Sequence, residues 1–399
     1  MRILSVTAQK PDSTGSGVYL TELVKGFDAL GCQQAVVCGT VREDTLAFPE
    51  QIALFPVYYH SEAVPFPVCG MSDEMPYEST RYRDLNDTMT RQLLSAFRTK
   101  LAEAVKTFHP DVILCHHLYF LTALVRQMYP NIPVWGQCHG SDLRQLATNP
   151  WLWDWIKGEI PRLDGILALH QAQKDQICQV FRISEEKVHV MGTGYNSSVF
   201  FVDAAAKAAR HDSRTRFIFA GKLSEKKGVY SLLRCLERLK KPETVELWLA
   251  GGCGSEKELE NLRILTAAAP CEVRLLGKLD QKTLARRMNE SDVFILPSFY
   301  EGLPLVLIEA MACGLKTICT DLPGIQPWLE RAIPENGTIF VKPPRMEHSD
   351  EPVPAELPDF EERLARAMEK DVSAAPADRE LVRQVSWDAL CRKLTALWK

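Results

Sequence analysis

The stretch Ser298-Phe299-Tyr300-Glu301-Gly302-Leu303-Pro304-Leu305-Val306-Leu307-Ile308-Glu309-Ala310-Met311-Ala312-Cys313-Gly314 decides the architecture. A short, β-rich apolar run, Val293 to Pro297, leads into it. Gly302 loosens the turn, and Pro304 has its φ already set for a first helical position. The spacing predicts a helix running from there to Gly314, a C-terminal stop. Its first N–H groups, those of Leu305 and Val306, with Leu303 just before, have no intrahelical acceptor and point at whatever anion sits beyond the strand end. Glu309 lies a turn or more inside, where an acceptor-only carboxylate can take the two hydroxyls of a ribose. The competing reading is a buried strand and an amphipathic helix with two incidental acids.

Outward from this stretch, strand-like runs alternate with helix-like ones almost throughout. Ile3 to Thr7, Gln34 to Gly39, Asp111 to His117, Val134 to His139, Gly165 to His170 and Val188 to Met191 form one series. Arg216 to Leu223, Val245 to Gly252, Glu272 to Gly277, Val293 to Pro297, Lys316 to Thr320 and Thr338 to Val341 form a second. Alternation of this kind argues for parallel, doubly wound sheets. At 399 residues the chain exceeds what one core serves, and 46 % hydrophobic residues suffice for two. The expected division is a first domain over 1–200 and a second over 205–385, with 386–399 as a closing segment. The boundary falls in Ser197 to Ser213, where strand signals give way to an Ala/Lys/Arg-rich stretch. Ser386 to Trp398 reads as a capped amphipathic helix.

A net charge of −4 gives no field suited to nucleic acid. The twelve cysteines include no C-x-x-C pair and read as reduced core residues. Met1 leads straight into a strand with no signal-like apolar region, and no window approaches eighteen apolar residues, so a cytoplasmic enzyme is expected.

Glu301 and Glu309, with Glu309-Ala310-Met311-Ala312-Cys313-Gly314, resemble the E-x7-E motif of retaining GT-B glycosyltransferases, in the version of glycosyltransferase family 4. The resemblance implies two Rossmann-like domains facing across a cleft, with the C-terminal helix crossing back to the first. It implies Glu301 beside the donor sugar, Glu309 on the nucleotide ribose and the Leu303 to Val306 amides on the diphosphate. The implied co-substrate is a nucleotide-diphosphate sugar and the implied partner a sugar, lipid-linked or small-molecule acceptor. No cofactor is implied. No Asp-x-Asp stands at a strand end to hold a metal, and none is expected.

A diphosphate leaving group without a metal needs compact positive charge. Phe219-Ala220-Gly221-Lys222-Leu223-Ser224-Glu225-Lys226-Lys227-Gly228 supplies it. Family 4 members usually carry Gly-Arg-x-x-x-x-Lys-Gly here. Lys222 takes the place of the usual arginine and lacks its bidentate fork. Lys227 matches the second position, and Lys226 reads as solvated. Catalytic roles are thus expected of His139, Lys222, Lys227 and Glu301.

Further donor contacts are expected of four more positions. Gly17, in the Gly15-Ser16-Gly17 turn, fails as a dinucleotide fingerprint but loosens the turn before a helix starting near Val18. Gly251, in Gly251-Gly252-Cys253-Gly254, resembles the family's turn beside the nucleotide. Gly277 and Lys278 end the next strand, where related enzymes meet the base. Ordinary strand-to-helix turn chemistry is the alternative for each. The His139-Gly140-Ser141-Asp142 string resembles the family's strand-end histidine, which contacts the donor sugar. Asp142 either orients that imidazole or caps the following helix. His116 and His117 read as cleft-lining, since consecutive strand residues face opposite ways and zinc-ligand spacings are absent.

Four further readings complete the expectation. Glu62 to Thr80, rich in proline and aromatics, reads as an acceptor-side lid. Pro343 to Pro358 reads as a surface insertion. A helix over Thr90 to Phe108, with Leu94, Phe97, Leu101 and Val105 on one stripe, either packs on the sheet or docks weakly on a membrane surface. Trp151, Trp153 and Trp155 either stack an acceptor or pack on a core. The rival functions are a nucleotide-sugar epimerase, a glycoside phosphorylase and a non-catalytic nucleotide-sugar binding protein.

Overall fold

A computed structural model describes residues 1–11, 13–46, 48–72, 75–208, 213–348, 351–370 and 376–399. The chain forms two compact units, Met1–Thr193 with Trp387–Lys399, and Gly194–Ser386. The division falls a few residues before the expected 200–205. Within the expected boundary stretch, 209–212 lie outside the described residues.

The first unit is built on seven strands: β1 (Arg2–Thr7), β2 (Gln33–Thr40), β3 (Ala53–Tyr58), β4 (Val112–His116), β5 (Val134–Gln137), β6 (Gly165–Ala168) and β7 (Val188–Val190). Their order is β3-β2-β1-β4-β5-β6-β7, with every pair parallel. Strand β3 escapes the sequence reading because it carries Pro56, which cannot donate to a ladder. It lies at the sheet edge, where only one neighbour needs donors.

The expected lid does not exist as one. Val64, Phe66, Val68, Cys69 and Met71 are buried in the unit's core. Cys69–Gly70, in the middle of the segment, pairs with Thr80–Arg81 at its end. These apolar residues anchor the segment to the core, and 73–74 lie outside the described residues.

The helix Asp87–Phe108, capped by Asn86, buries Leu93, Phe97, Leu101, Ala104 and Phe108. Its apolar face is taken up by the core, so membrane docking through that face is ruled out; Leu94 and Val105 sit at the margins. Trp151 stacks on Tyr82 at 5.2 Å between ring centres, and its Nε1 donates to Thr90 Oγ1 at 3.0 Å. It serves the core rather than an acceptor, and Trp155 packs there too. The last helix, Trp387–Leu397, belongs to this first unit, as the resemblance implied. Gly26 makes room for it: a Cβ there would stand 2.5 Å from Cys391 Sγ.

The second unit holds β8 (Thr215–Ala220), β9 (Val245–Ala250), β10 (Glu272–Gly277), β11 (Val293–Leu296), β12 (Lys316–Thr320) and β13 (Ile339–Val341). The order is β10-β9-β8-β11-β12-β13, again all parallel. The four residues of β11 are all buried, which accounts for their uninterrupted apolar run. Within the expected surface insertion, Met346–His348 pairs antiparallel with Glu351–Pro352, while 349–350 lie outside the described residues. Among the described residues no helix is long and apolar enough to cross a membrane.

Candidate active site

Each sheet reverses its strand order once, between β1 and β4 in the first unit and between β8 and β11 in the second. Crevices open at the carboxyl ends of strands flanking such a reversal, and ligands bind there. Gly17 follows β1 at the first reversal, and Lys222, Lys227, Glu301 and Glu309 follow β8 and β11 at the second, while His139 follows β5 and Gly251, Gly277 and Lys278 lie at the ends of β9 and β10.

In the second unit the basic loop follows β8 and the acidic loop follows β11. Gly228, at φ 68°, is the hinge between them: a Cβ there would stand 2.0 Å from the Pro297 carbonyl oxygen. The Phe299 N–H donates to the Lys226 carbonyl at 3.0 Å, zipping the loops together. That register sets Lys227 against Glu301, with Nζ 2.7 Å from Oε1. Lys226 is exposed, as expected.

The helix after Glu301 spans Leu305–Ala312, with Pro304 one position earlier than expected, as its N-cap. Gly314 ends the segment at φ 72°. Among the described residues no hydrogen bond takes the N–H of Leu303, Leu305 or Val306. These donors are what an anion would meet. Glu309 is buried within the helix, at 8 % exposure.

The neighbouring strand ends interlock with the basic loop. Gly251 N–H donates to Gly277 O at 2.8 Å, and Leu223 N–H to Gly252 O at 3.0 Å. Any side chain at Gly251 would collide with Gly221 O, 1.7 Å from its Cβ. Lys222 and Lys278 both lie over this glycine turn: a Cβ at Gly254 would be 3.4 Å from Lys222 Nζ, and one at Gly252 2.6 Å from Lys278 Cε. Three of the expected donor contacts, Gly251, Gly277 and Lys278, thus share one surface with Lys222.

In the first unit, His139 follows β5 and its N–H is held by the Asp142 carboxylate at 3.3 and 3.4 Å. Asp142 is fully buried and also accepts from Leu118 N–H at 2.8 Å. It fixes backbone rather than the imidazole. The His139 Nε2 lies 3.1 Å from His116 Nδ1. His117, at φ 70°, turns its Nε2 to the Gln9 amide at 2.8 Å and the Ser16 hydroxyl at 3.2 Å. Burial drives the His116 imidazole down to about 3, with His117 adding to the effect. Burial also depresses His117, opposed by Asp142, and holds His139 well below its ordinary range with help from His117 and His116. All three rings are therefore neutral at pH 7.

Gly17 departs from expectation. The helix starts at Gly15, three residues early, because Thr14 caps it, and Thr14 Oγ1 takes the Gly17 N–H at 3.1 Å. That amide is paired within the chain. Gln9, Ser16 and Tyr19 escaped the sequence reading. Tyr19 is buried edge-on to His139 at 5.2 Å between ring centres, its hydroxyl aimed at Gln137 and Gly192. Their position just after β1, at a strand-order reversal, was the available signal.

Two all-parallel sheets, each reversing its strand order once, make a pair of Rossmann-like units, the fold of GT-B glycosyltransferases. Sucrose-phosphate synthase from Thermosynechococcus elongatus shares the fold with a TM-score of 0.69 at 16 % identity, over 100 % of this chain and 98 % of that one. So does HepE of Anabaena in complex with UDP-glucose, with a TM-score of 0.65 at 15 % identity, over 100 % and 99 %. A family model described as Glycosyltransferase Family 4 matches residues 13–199, and one described as Glycosyl transferases group 1 matches 214–349. The chain belongs with the family 4-like glycosyltransferases. An uncharacterized glycosyltransferase of Methanocaldococcus jannaschii is 24 % identical over 244 residues, 59 % of each chain. The chain therefore spans less than two thirds of the length of the curated relatives it matches first.

Proposed function

We propose that this chain transfers a sugar from a nucleotide-diphosphate donor to an acceptor hydroxyl, with retention at the anomeric carbon and without a metal. The observation that carries the reading is the juxtaposition of Lys227 and Glu301, 2.7 Å apart, beside the unpaired amides at the start of the Leu305–Ala312 helix. Those amides and the lysine ammonium are matched to a departing diphosphate, whose charge grows as the glycosidic bond breaks. Lys222 adds a second compact cation on the same basic loop. In this reading Glu309 takes the ribose hydroxyls and Glu301 a sugar hydroxyl. Departure of the leaving group on the face that the acceptor enters lets its phosphate oxygen help take the acceptor's proton, the route to retention. The UDP-glucose complex of HepE supports a nucleotide-sugar donor.

The test is to incubate the full chain with UDP-, GDP- and ADP-sugars and an acceptor panel, following nucleoside diphosphate release with and without EDTA. Proton NMR of the product reads the anomeric configuration. The reading expects an α-product from an α-donor, unaffected by chelation; inversion, or loss of turnover with EDTA restored by a divalent cation, contradicts it.

A further inference from the structure

His116 and His139 come from different strand ends yet share one hydrogen bond, Nδ1 to Nε2 at 3.1 Å, with ring planes 15° apart. Two neutral imidazoles can share that bond in only two ways. In one, His116 carries its proton on Nδ1 and donates it to His139 Nε2. In the other, His139 donates from Nε2 and the His116 proton sits on Nε2. The second arrangement strands an N–H in the core, because His116 Nε2 is buried with no hydrogen-bond partner. An orphaned buried donor is rarer and costlier than an idle acceptor lone pair. His116 therefore holds its proton on Nδ1, and the proton of His139 is left for its own Nδ1. No hydrogen bond among the described residues uses His139 Nδ1. Tyr19 does not compete, since its hydroxyl is committed elsewhere.

We propose that His116 is a positioning residue that fixes His139 in the Nδ1–H tautomer, so that His139 meets a substrate oxygen as a hydrogen-bond donor and not as a base. This rests on the reading of His139 at the reacting sugar. With Nε2 already filled, the ring has no lone pair left to accept a proton from an acceptor hydroxyl. The oxygen it meets is a sugar hydroxyl or ring oxygen with a lone pair to offer.

The test is a long-range proton–nitrogen correlation spectrum of the full chain labelled with ¹⁵N-histidine, the His139 signals being assigned by their loss in His139→Gln. The expected wild-type spectrum shows His139 protonated at Nδ1 near pH 7.5. His116→Asn, whose amide N–H stands near the Nδ1 position, retains that pattern and stays close to wild-type turnover. His116→Leu releases His139 into a mixture containing Nε2–H and lowers kcat about tenfold or more, with the donor KM little changed. A wild-type His139 protonated at Nε2 overturns the proposal whatever the variants do, as does an unchanged His139 spectrum in His116→Leu. If the tautomer responds as expected and kcat does not, the placement of His139 at the reacting centre fails while the tautomer assignment stands.

Discussion

Lys227 Nζ stands 2.7 Å from Glu301 Oε1, and the pair is only partly shielded, with side-chain exposures of 30 % and 15 %. At that exposure an ion pair contributes under about 1 kcal/mol to stability. Its place between two loops at a strand-order reversal fits the proposed role in transfer better than a role in stability.

Lys227→Ala is therefore expected to separate activity from stability. Loss of one group that stabilises a leaving oxygen lowers turnover roughly a hundred- to a thousandfold. The melting temperature should move by no more than a few degrees, as an exposed pair allows. Steady-state kinetics with a competent donor and a thermal melt check both halves. Unchanged turnover refutes the role, and a collapsed melt makes the pair structural.

Two glycines with nearly the same backbone conformation should respond differently to alanine. Gly228 and Gly277 have φ of 68° and 69°. A Cβ at Gly228 meets Pro297 O at 2.0 Å, while one at Gly277 meets nothing within 4 Å. Gly277→Ala should cost about 1–2 kcal/mol for the left-handed backbone alone. Gly228→Ala adds a backbone collision and should exceed that by at least about 1 kcal/mol, the order of ordinary overpacking. Urea unfolding of both variants decides; equal costs would mean that the two loops are not pressed together.

The buried histidines give the first unit an acid limit. Their folded values lie below the ordinary value of about 6.5, so the unfolded chain binds protons first as pH falls. Stability is full above about pH 6.5 and is lost as pH drops toward the folded values, about 3 for His116. Each histidine contributes up to about 1.4 kcal/mol per pH unit within its window. Urea midpoints should fall steadily from pH 6.5 to 4.5 and less steeply in His116→Asn. A profile identical in that variant contradicts the burial argument.

The elements that local chemistry dictates were legible in the sequence. Val293 to Pro297, Pro304 and Gly314 announce a strand, a helix start and a stop because β-branched residues favour extended backbone, proline fixes φ and glycine alone enters the left-handed region freely. The Lys226–Lys227 loop was readable as a basic turn because its charges stand between a strand run and Gly228. What escaped depends on packing across the fold. Pro56 argues against a strand unless the edge position is known, and the apolar residues of Val64 to Met71 resemble a lid until the core they enter is seen. The sequence puts the first helix start near Val18, because nothing local marks Thr14 as the cap that starts it at Gly15. The His116–His139 bond joins residues from separate strands, and nothing in their spacing states which nitrogen faces which. Leu93 displaced Leu94 from the stripe of its helix, a turn of one residue set by the sheet beneath it.

The account stands on the second unit's loops receiving a nucleoside diphosphate, and calorimetric titration of UDP, GDP and ADP into the wild-type chain and Lys227→Ala tests it most directly. A hydrogen bond to a charged group is worth about 1.5–3 kcal/mol, roughly ten- to a hundredfold in affinity. One of the three nucleotides should bind the wild-type chain at a single site, weakened by that factor in the variant. If none binds, or if the variant binds as tightly as the wild type, the site is not where this account places it.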